Sequence, residues 1–140
     1  MDLEKQAIDI LQTFAGNEPY QLGYSGGKDS DVILHLAKKA GVPFVAVHNL
    51  TTVDAPKTVR YIKSKPEVLI EYPKMSMWQL IVKHKTPPTR RFRYCCEELK
   101  ERICLGKKLI TGVRKAESRM RAKNQGIVTF TTPNLSLIHI

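Results

Sequence analysis

Apolar positions along the chain change period several times, and each change marks an element. Leu3, Ala7, Ile10, Leu11 and Phe14 recur at helical spacing, which predicts an amphipathic helix ending near Gly16. The short apolar run over 20–24 predicts a strand. Residues 31–40 return to the helical period, with Val32, Ile33, Leu36, Ala37 and Ala40 as the buried stripe. Gly41 closes that helix and Pro43 prevents its continuation. The continuous apolar run over 44–48 suits a strand buried on both faces. After a polar turn over 49–54, Pro56 fits the first turn of a helix reaching about Ser64, and Pro66 punctuates it. A third strand is expected over 68–72. Ser76 then caps a helix from Met77 to His84, with Trp78, Ile81 and Val82 as its packing side. A Pro-containing basic loop fills 85–94, a helix follows over 96–103, a strand over 108–113, and a loop and helix over 114–122.

Strands that alternate with helices imply right-handed crossovers and an α/β fold. The expected architecture is a doubly wound, mainly parallel sheet with helices on both faces, in one domain spanning 1–140. In such sheets ligands bind beyond the carboxyl ends of the strands, at the switch point. Three segments follow strand ends here: the turn after Tyr24, the 49–54 turn and the stretch after Gly112. Residues 124–140 carry no charge, and 135–140 stop without a cap or polar tail. A buried last strand reads this way, and so does a chain cut short, which is the favoured expectation.

Charge sharpens this picture. The net charge is +10, and residues 1–82 contribute nothing to it, with nine basic and nine acidic side chains. The whole excess falls between Lys83 and Lys123, where fourteen basic face four acidic residues. Such concentration points to a polyanionic partner, a phosphorylated nucleotide or a nucleic acid. No apolar run approaches the ~18–20 residues that span a bilayer, so no membrane partner is expected. The N-terminus lacks a signal-peptide layout, and three cysteines make no disulfide framework, so a reducing cytoplasm is the expected location.

The chemistry concentrates at Ser25-Gly26-Gly27-Lys28-Asp29-Ser30, between the first strand and the second helix. Adjacent glycines let the backbone turn and bring its N–H groups near a ligand. The following helix points its unpaired first-turn N–H groups at the same spot. Lys28 adds a mobile charge, and Ser25 and Ser30 add hydroxyl donors, so a phosphate or pyrophosphate is the natural occupant. The spacing is not that of a Walker loop, because Asp29 rather than Ser or Thr follows Lys28.

Two further clusters carry candidate chemistry. Cys95 and Cys96 follow Arg90, Arg91, Arg93 and Tyr94. They fit three readings: core packing, iron–sulfur ligation, or a redox thiol lowered in pKa by the arginines and the next helix N-terminus. A cluster wants four thiolates, and this chain has only Cys104 besides. Zinc is poorly supported, because no Cys-x2-Cys or His pair has ligand spacing. The second cluster holds Arg114 and Arg119, able to fork onto phosphate or sulfate oxygens, with Glu117 and Ser118 between them. His48, at a strand end, is placed to approach a nucleotide, while His35 is read as structural.

Four segments together resemble the phosphoadenosine phosphosulfate (sulfonucleotide) reductase family of the PP-loop ATP-pyrophosphatase superfamily, in a phage or anaerobe-type form. They are Ser25–Ser30, Pro56-Lys57-Thr58, Arg93-Tyr94-Cys95-Cys96 with Leu99-Lys100, and Gly112 to Ala122, similar to Gly-Ile-Arg-x-x-Glu-Ser-x-x-Arg. The resemblance implies a Rossmann-like fold of the adenine nucleotide alpha hydrolase type. It implies nucleotide and phosphate binding by Ser25, Gly26, Gly27, Lys28, Asp29, Ser30, Arg114, Glu117, Ser118 and Arg119. It further implies reduction of adenosine phosphosulfate or phosphoadenosine phosphosulfate to sulfite with thioredoxin- or glutaredoxin-type donors, in an assembly that can be homo-oligomeric. Cys95 and Cys96 stand where cluster-containing relatives ligate a [4Fe–4S] cluster. Those relatives pair Cys-Cys with a later Cys-x-x-Cys, which is absent from this chain, and two further departures qualify the resemblance. Residues 49–54 replace the usual Asp-Thr-Gly, and the nucleophilic Cys of the family's Glu-Cys-Gly segment is not in this chain, which leaves the catalytic residue unknown. The alternative is an ATP pyrophosphatase that uses magnesium-bound ATP to adenylate a tRNA, DNA or small-molecule partner. A purely nucleic-acid-binding basic module ranks third, since no base-stacking aromatic cluster is evident.

Overall fold

A computed structural model of the chain describes residues 2–101, 107–112, 128–132 and 135–139, with side chains described over 2–99 and 107–112. The helix α1 (Leu3–Thr13) starts on Asp2, whose carboxylate accepts from the N–H groups of Glu4 and Lys5. The strand β1 (Tyr20–Gly23) leads into α2 (Lys28–Ala40), which ends on Gly41 in the left-handed region. Then come β2 (Phe44–Asn49), α3 (Pro56–Lys63), β3 (Val68–Glu71) and α4 (Met77–His84). A short helix α5 (Tyr94–Cys96) runs on as a π-helical turn, Glu97–Glu101. The strand β4 (Lys108–Thr111) comes next, and the helix expected over 114–122 lies outside the described residues. A hairpin follows, made of β5 (Val128–Thr132) and β6 (Leu135–His139).

The six strands among the described residues form one sheet in the order β3-β2-β1-β4-β6-β5. All neighbours are parallel except β5 and β6. The chain winds outward from β1 to β3, then crosses back to place β4 on the other side of β1. That reversal makes the sheet doubly wound, and its switch point lies between the carboxyl ends of β1 and β4. Of the final residues, 135–139 take the strand form and pair in register with β4, Leu109 opposite Leu137.

One face of the sheet carries the main core. Tyr20, Leu22, Ala46, Val68 and Ile110 pack there against Ala7 and Leu11 of α1, Ile33, Leu34 and Ala37 of α2, and Ile62 of α3. The Tyr20 hydroxyl donates to the Leu11 carbonyl at 2.9 Å, which closes the one polar atom this buried ring carries. The right-handed β3–β4 crossover carries α4 and α5 to the opposite face, where Val47, by strand alternation, also points. Val47, Leu80 and Leu99 are buried outside the main cluster.

The structure corrects several expected faces. In α1 only Ala7 and Leu11 are buried, while Leu3 and Phe14, at the helix ends, are exposed. In α2 the expected Ile33, Leu36, Ala37 and Ala40 are buried, Leu34 joins them, and Val32 is exposed. In α4 the packing residue is Leu80, and Trp78 and Val82 are exposed. At two residues on either side of Leu80 they sit about 200° round the helix from it. The strand β2 is not covered on both faces along its length, since Val45 is exposed. Its neighbour β3 is an edge strand with Leu69 exposed, which leaves that corner of the sheet open.

Candidate functional site

The site begins where β1 pairing ends. The Tyr24 N–H still donates to the Val47 carbonyl at 2.8 Å, and the backbone then turns through Ser25 and Gly26 into α2. Gly26 has φ of 78°, and a Cβ there would stand 3.1 Å from both Thr58 and Ile62 of α3. Gly27, the N-cap, is extended at φ −91° and ψ 164°. Of the two glycines, then, only Gly26 requires the left-handed region. Gly27 leaves the approach to the helix end open.

No side chain caps α2 at Gly27, whereas Asp2 caps α1 and a capping box of Ser76 and Gln79 closes α4. The Ser30 hydroxyl, buried, donates to the Gly27 carbonyl at 2.7 Å and lies 3.4 Å from the Ser25 hydroxyl. Ser25, Gly27 and Lys28 are exposed. The result is a tight turn with an open helix N-terminus and an exposed cation beside it, an arrangement that receives an anion.

Two other segments meet it, one from α3 and one after β4. Thr58, from the Pro56-Lys57-Thr58 segment, packs on Gly26. Gly112 abuts the first turns of α2 so closely that a Cβ there would lie 2.3 Å from the Ile33 side chain and 3.7 Å from the Asp29 carbonyl. The start of the Gly112 segment therefore meets the glycine loop at the switch point. Arg114, Glu117, Ser118 and Arg119 lie outside the described residues. The 49–54 turn is held by the Asp54 carboxylate, which accepts from the Thr51 N–H at 2.7 Å. Thr52, with φ of 67°, accepts the Met77 N–H on its hydroxyl and so ties this turn to α4.

His48 does not present itself as an exposed nucleotide contact. It is buried beneath the loop, with Nδ1 2.8 Å from the Tyr24 carbonyl, so it braces the strand-to-loop junction. Its Nε2 is buried without a hydrogen-bond partner. His35 is exposed on α2.

Sequence reading missed a second brace. The Asp31 carboxylate accepts from the hydroxyls of Tyr24 and Tyr61 and from the Lys65 ammonium. The Tyr24 hydroxyl bond and the Lys65 contact hold this carboxyl below its usual range, against the opposing effect of burial. Burial and the Asp31 bond push the Tyr24 hydroxyl up, and the same carboxylate pushes Lys65 up. Sequence separations of 30 and 34 residues hide these contacts from any local pattern.

Cys95 and Cys96 are free and half-buried. They lie within α5 rather than before a helix start, because the helix begins at Tyr94. Arg93 Nη2 donates to Cys96 Sγ at 3.4 Å. Burial and the adjacent Cys96 push the Cys95 thiol up, which corrects the expectation of a lowered pKa at that residue. Cys96 lines an open cavity of about 540 Å³ with Arg91, Phe92 and the stacked rings of His84 and Tyr94, 4.1 Å apart. That lining includes no residue of the glycine loop. Among the described residues no group of three His, Cys, Asp or Glu is arranged to hold a metal, and Cys104 lies outside them. Two thiols supply half of a four-thiolate set, so the described residues by themselves do not fit a [4Fe–4S] cluster. Nor, among the described residues, is any helix long and apolar enough to cross a membrane.

A doubly wound parallel sheet with an uncapped glycine loop at its switch point defines an α/β nucleotide-binding domain. The family model for the phosphoadenosine phosphosulfate reductase domain matches residues 19–140, and the chain belongs to that family. No curated protein gives a significant match to it.

Proposed function

We propose that this domain binds adenosine phosphosulfate, or its 3′-phosphorylated form, and presents it to a thiol donor for reduction to sulfite. The observation that carries this reading is the open N-terminus of α2 at Gly27, in a chain of this family. The phosphosulfate end lies against the first-turn N–H groups and Lys28. The 49–54 turn and the Gly112 segment flank the nucleotide. Arg114 and Arg119 stabilise the charge that develops on the leaving phosphate.

In the reaction a thiolate attacks the sulfonyl sulfur. An S–S bond forms, the S–O bond to the phosphate breaks, and AMP or its 3′-phosphate leaves with the electron pair. A second thiolate then attacks the thiol sulfur of this S-sulfonate. Sulfite departs and a disulfide remains, so the two thiols supply both electrons. A thioredoxin- or glutaredoxin-type partner supplies such a pair.

Calorimetry tests the reading. The wild type is expected to bind adenosine phosphosulfate without magnesium, and Lys28→Ala to weaken it about tenfold, as the loss of a charged hydrogen bond does. Tight, magnesium-dependent ATP binding with no sulfonucleotide binding would overturn it in favour of an adenylating enzyme.

A further inference from the structure

Asp31 is one of two acids, with Asp29, in the first turns of α2. Its carboxylate belongs to the same helix end that receives an anion, starting four residues earlier at Gly27. A free carboxylate there competes for the positive end of the helix and repels an anionic ligand. This one is not free. Oδ1 accepts from the Tyr24 hydroxyl at 2.5 Å and from Lys65 Nζ at 2.9 Å, and Oδ2 accepts from the Tyr61 hydroxyl at 2.9 Å. Lys65 Nζ also lies 5.6 Å from the Tyr24 ring centroid and 5.1 Å from that of Tyr61, a cation between two aromatic faces. The Lys65 side chain is only 25% exposed. Three donors from two other segments thus saturate a carboxylate that, unpaired, would oppose the site's function.

We propose that Lys65 is a positioning residue for the anion site: it neutralises Asp31 and, with Tyr24 and Tyr61, holds that carboxylate so that the α2 N-terminus stays open to an anionic ligand. The inference rests on reading the glycine loop as the sulfonucleotide site. It adds a requirement that the loop motif does not contain, a cation just beyond α3 paired with an acid in α2.

The sign of the charge effect separates this role from packing. Adenosine phosphosulfate affinity is measured by calorimetry for Lys65→Met, Lys65→Arg, Asp31→Asn and the double variant Asp31→Asn/Lys65→Met, with thermal unfolding followed in each. Lys65→Met is expected to weaken binding about two- to fivefold, the scale of one charge at a helix end, and less so at high salt. Lys65→Arg should restore it. Asp31→Asn should leave affinity unchanged or raise it, and the double variant should return close to wild type. If the clasp only packs the fold, Asp31→Asn binds more weakly and the double variant more weakly still. If Lys65 touches the ligand, the double variant stays as weak as Lys65→Met. Either pattern overturns the inference, as does a Lys65→Met protein that binds like wild type. Should Lys65→Met fail to fold, the direction of the Asp31→Asn effect decides alone. A wild type that binds neither the sulfonucleotide nor inorganic pyrophosphate overturns the loop reading itself, and this inference with it.

Discussion

Gly26 carries the conformational demand of the loop and Gly27 the access, so the two glycines should fail differently when substituted. At Gly26 an added Cβ meets a φ of 78° and atoms of Thr58 and Ile62 at 3.1 Å. Gly26→Ala is expected to lower stability by about 1–3 kcal/mol, the usual cost of a residue forced into the left-handed region, and urea unfolding measures it. Gly27→Ala has an extended backbone and its nearest neighbour, Ser25 Oγ, at 3.5 Å, so it should unfold like wild type. Equal losses in the two variants would contradict this division. The thiols differ in the same residue-by-residue way. Cys96 has an arginine on its sulfur and an open cavity beside it, while burial raises the Cys95 pKa. Alkylation of the folded protein across pH 5–9 should therefore label Cys96 first. Cys95 reacting as fast or faster would show that the Arg93 contact does not govern reactivity.

Elements were legible where the signal is local. Ser76 predicted the start of α4; the structure adds its capping box with Gln79, and Ser76→Ala should cost about 1 kcal/mol in thermal or urea unfolding. The alternation of strand and helix likewise predicted the parallel sheet. Which side of α4 packs was not legible, because eight residues give barely two turns and an apolar residue lies on either side. The longer α2 was read better: Ile33, Leu36, Ala37 and Ala40 are buried as expected, and only Val32 is not. The clasp between α2 and the end of α3 was invisible, since its partners meet only in the folded chain. It leaves a pH signature that can be signed. The Asp31 carboxyl sits below its ordinary value of 3.8 in the folded state, so its contribution to stability is present above that value. It is lost as pH falls from about 4 through the lower folded pKa. Asp31→Asn should remove this part of the acid-side slope, so wild type and variant should converge in stability below that range. A constant gap between the two down to strongly acid pH would mean that Asp31 acts there through something other than its charge.

At the scale of the whole molecule the fold assembles the candidate site at one edge of the sheet. The glycine loop, the 49–54 turn and Gly112 all follow carboxyl ends of parallel strands, and the switch between β1 and β4 brings the first and last of these together. This convergence was legible in the sequence as a rule of doubly wound sheets, before any contact was known. The contacts that make it rigid were not. They are Gly112 against Ile33, Gly26 against Thr58 and Ile62, and His48 beneath the Tyr24 carbonyl. Each depends on which side chains meet across 24 or more residues. Hydrogen–deuterium exchange with and without adenosine phosphosulfate reads the arrangement directly. Ligand should slow exchange in peptides covering 24–31 and 49–58, because those backbones line the occupied edge. It should leave 14–19, 41–43 and 64–67 unchanged, because they connect elements at the amino ends of the same strands. The N–H groups in the first turn of α2 should respond most, because the assigned anion lies against that helix end. Protection spread evenly over both edges would indicate global tightening rather than a site at the switch point. Protection confined to 84–97 would move the ligand to the cavity beside Cys96 and leave the glycine loop without its assigned occupant.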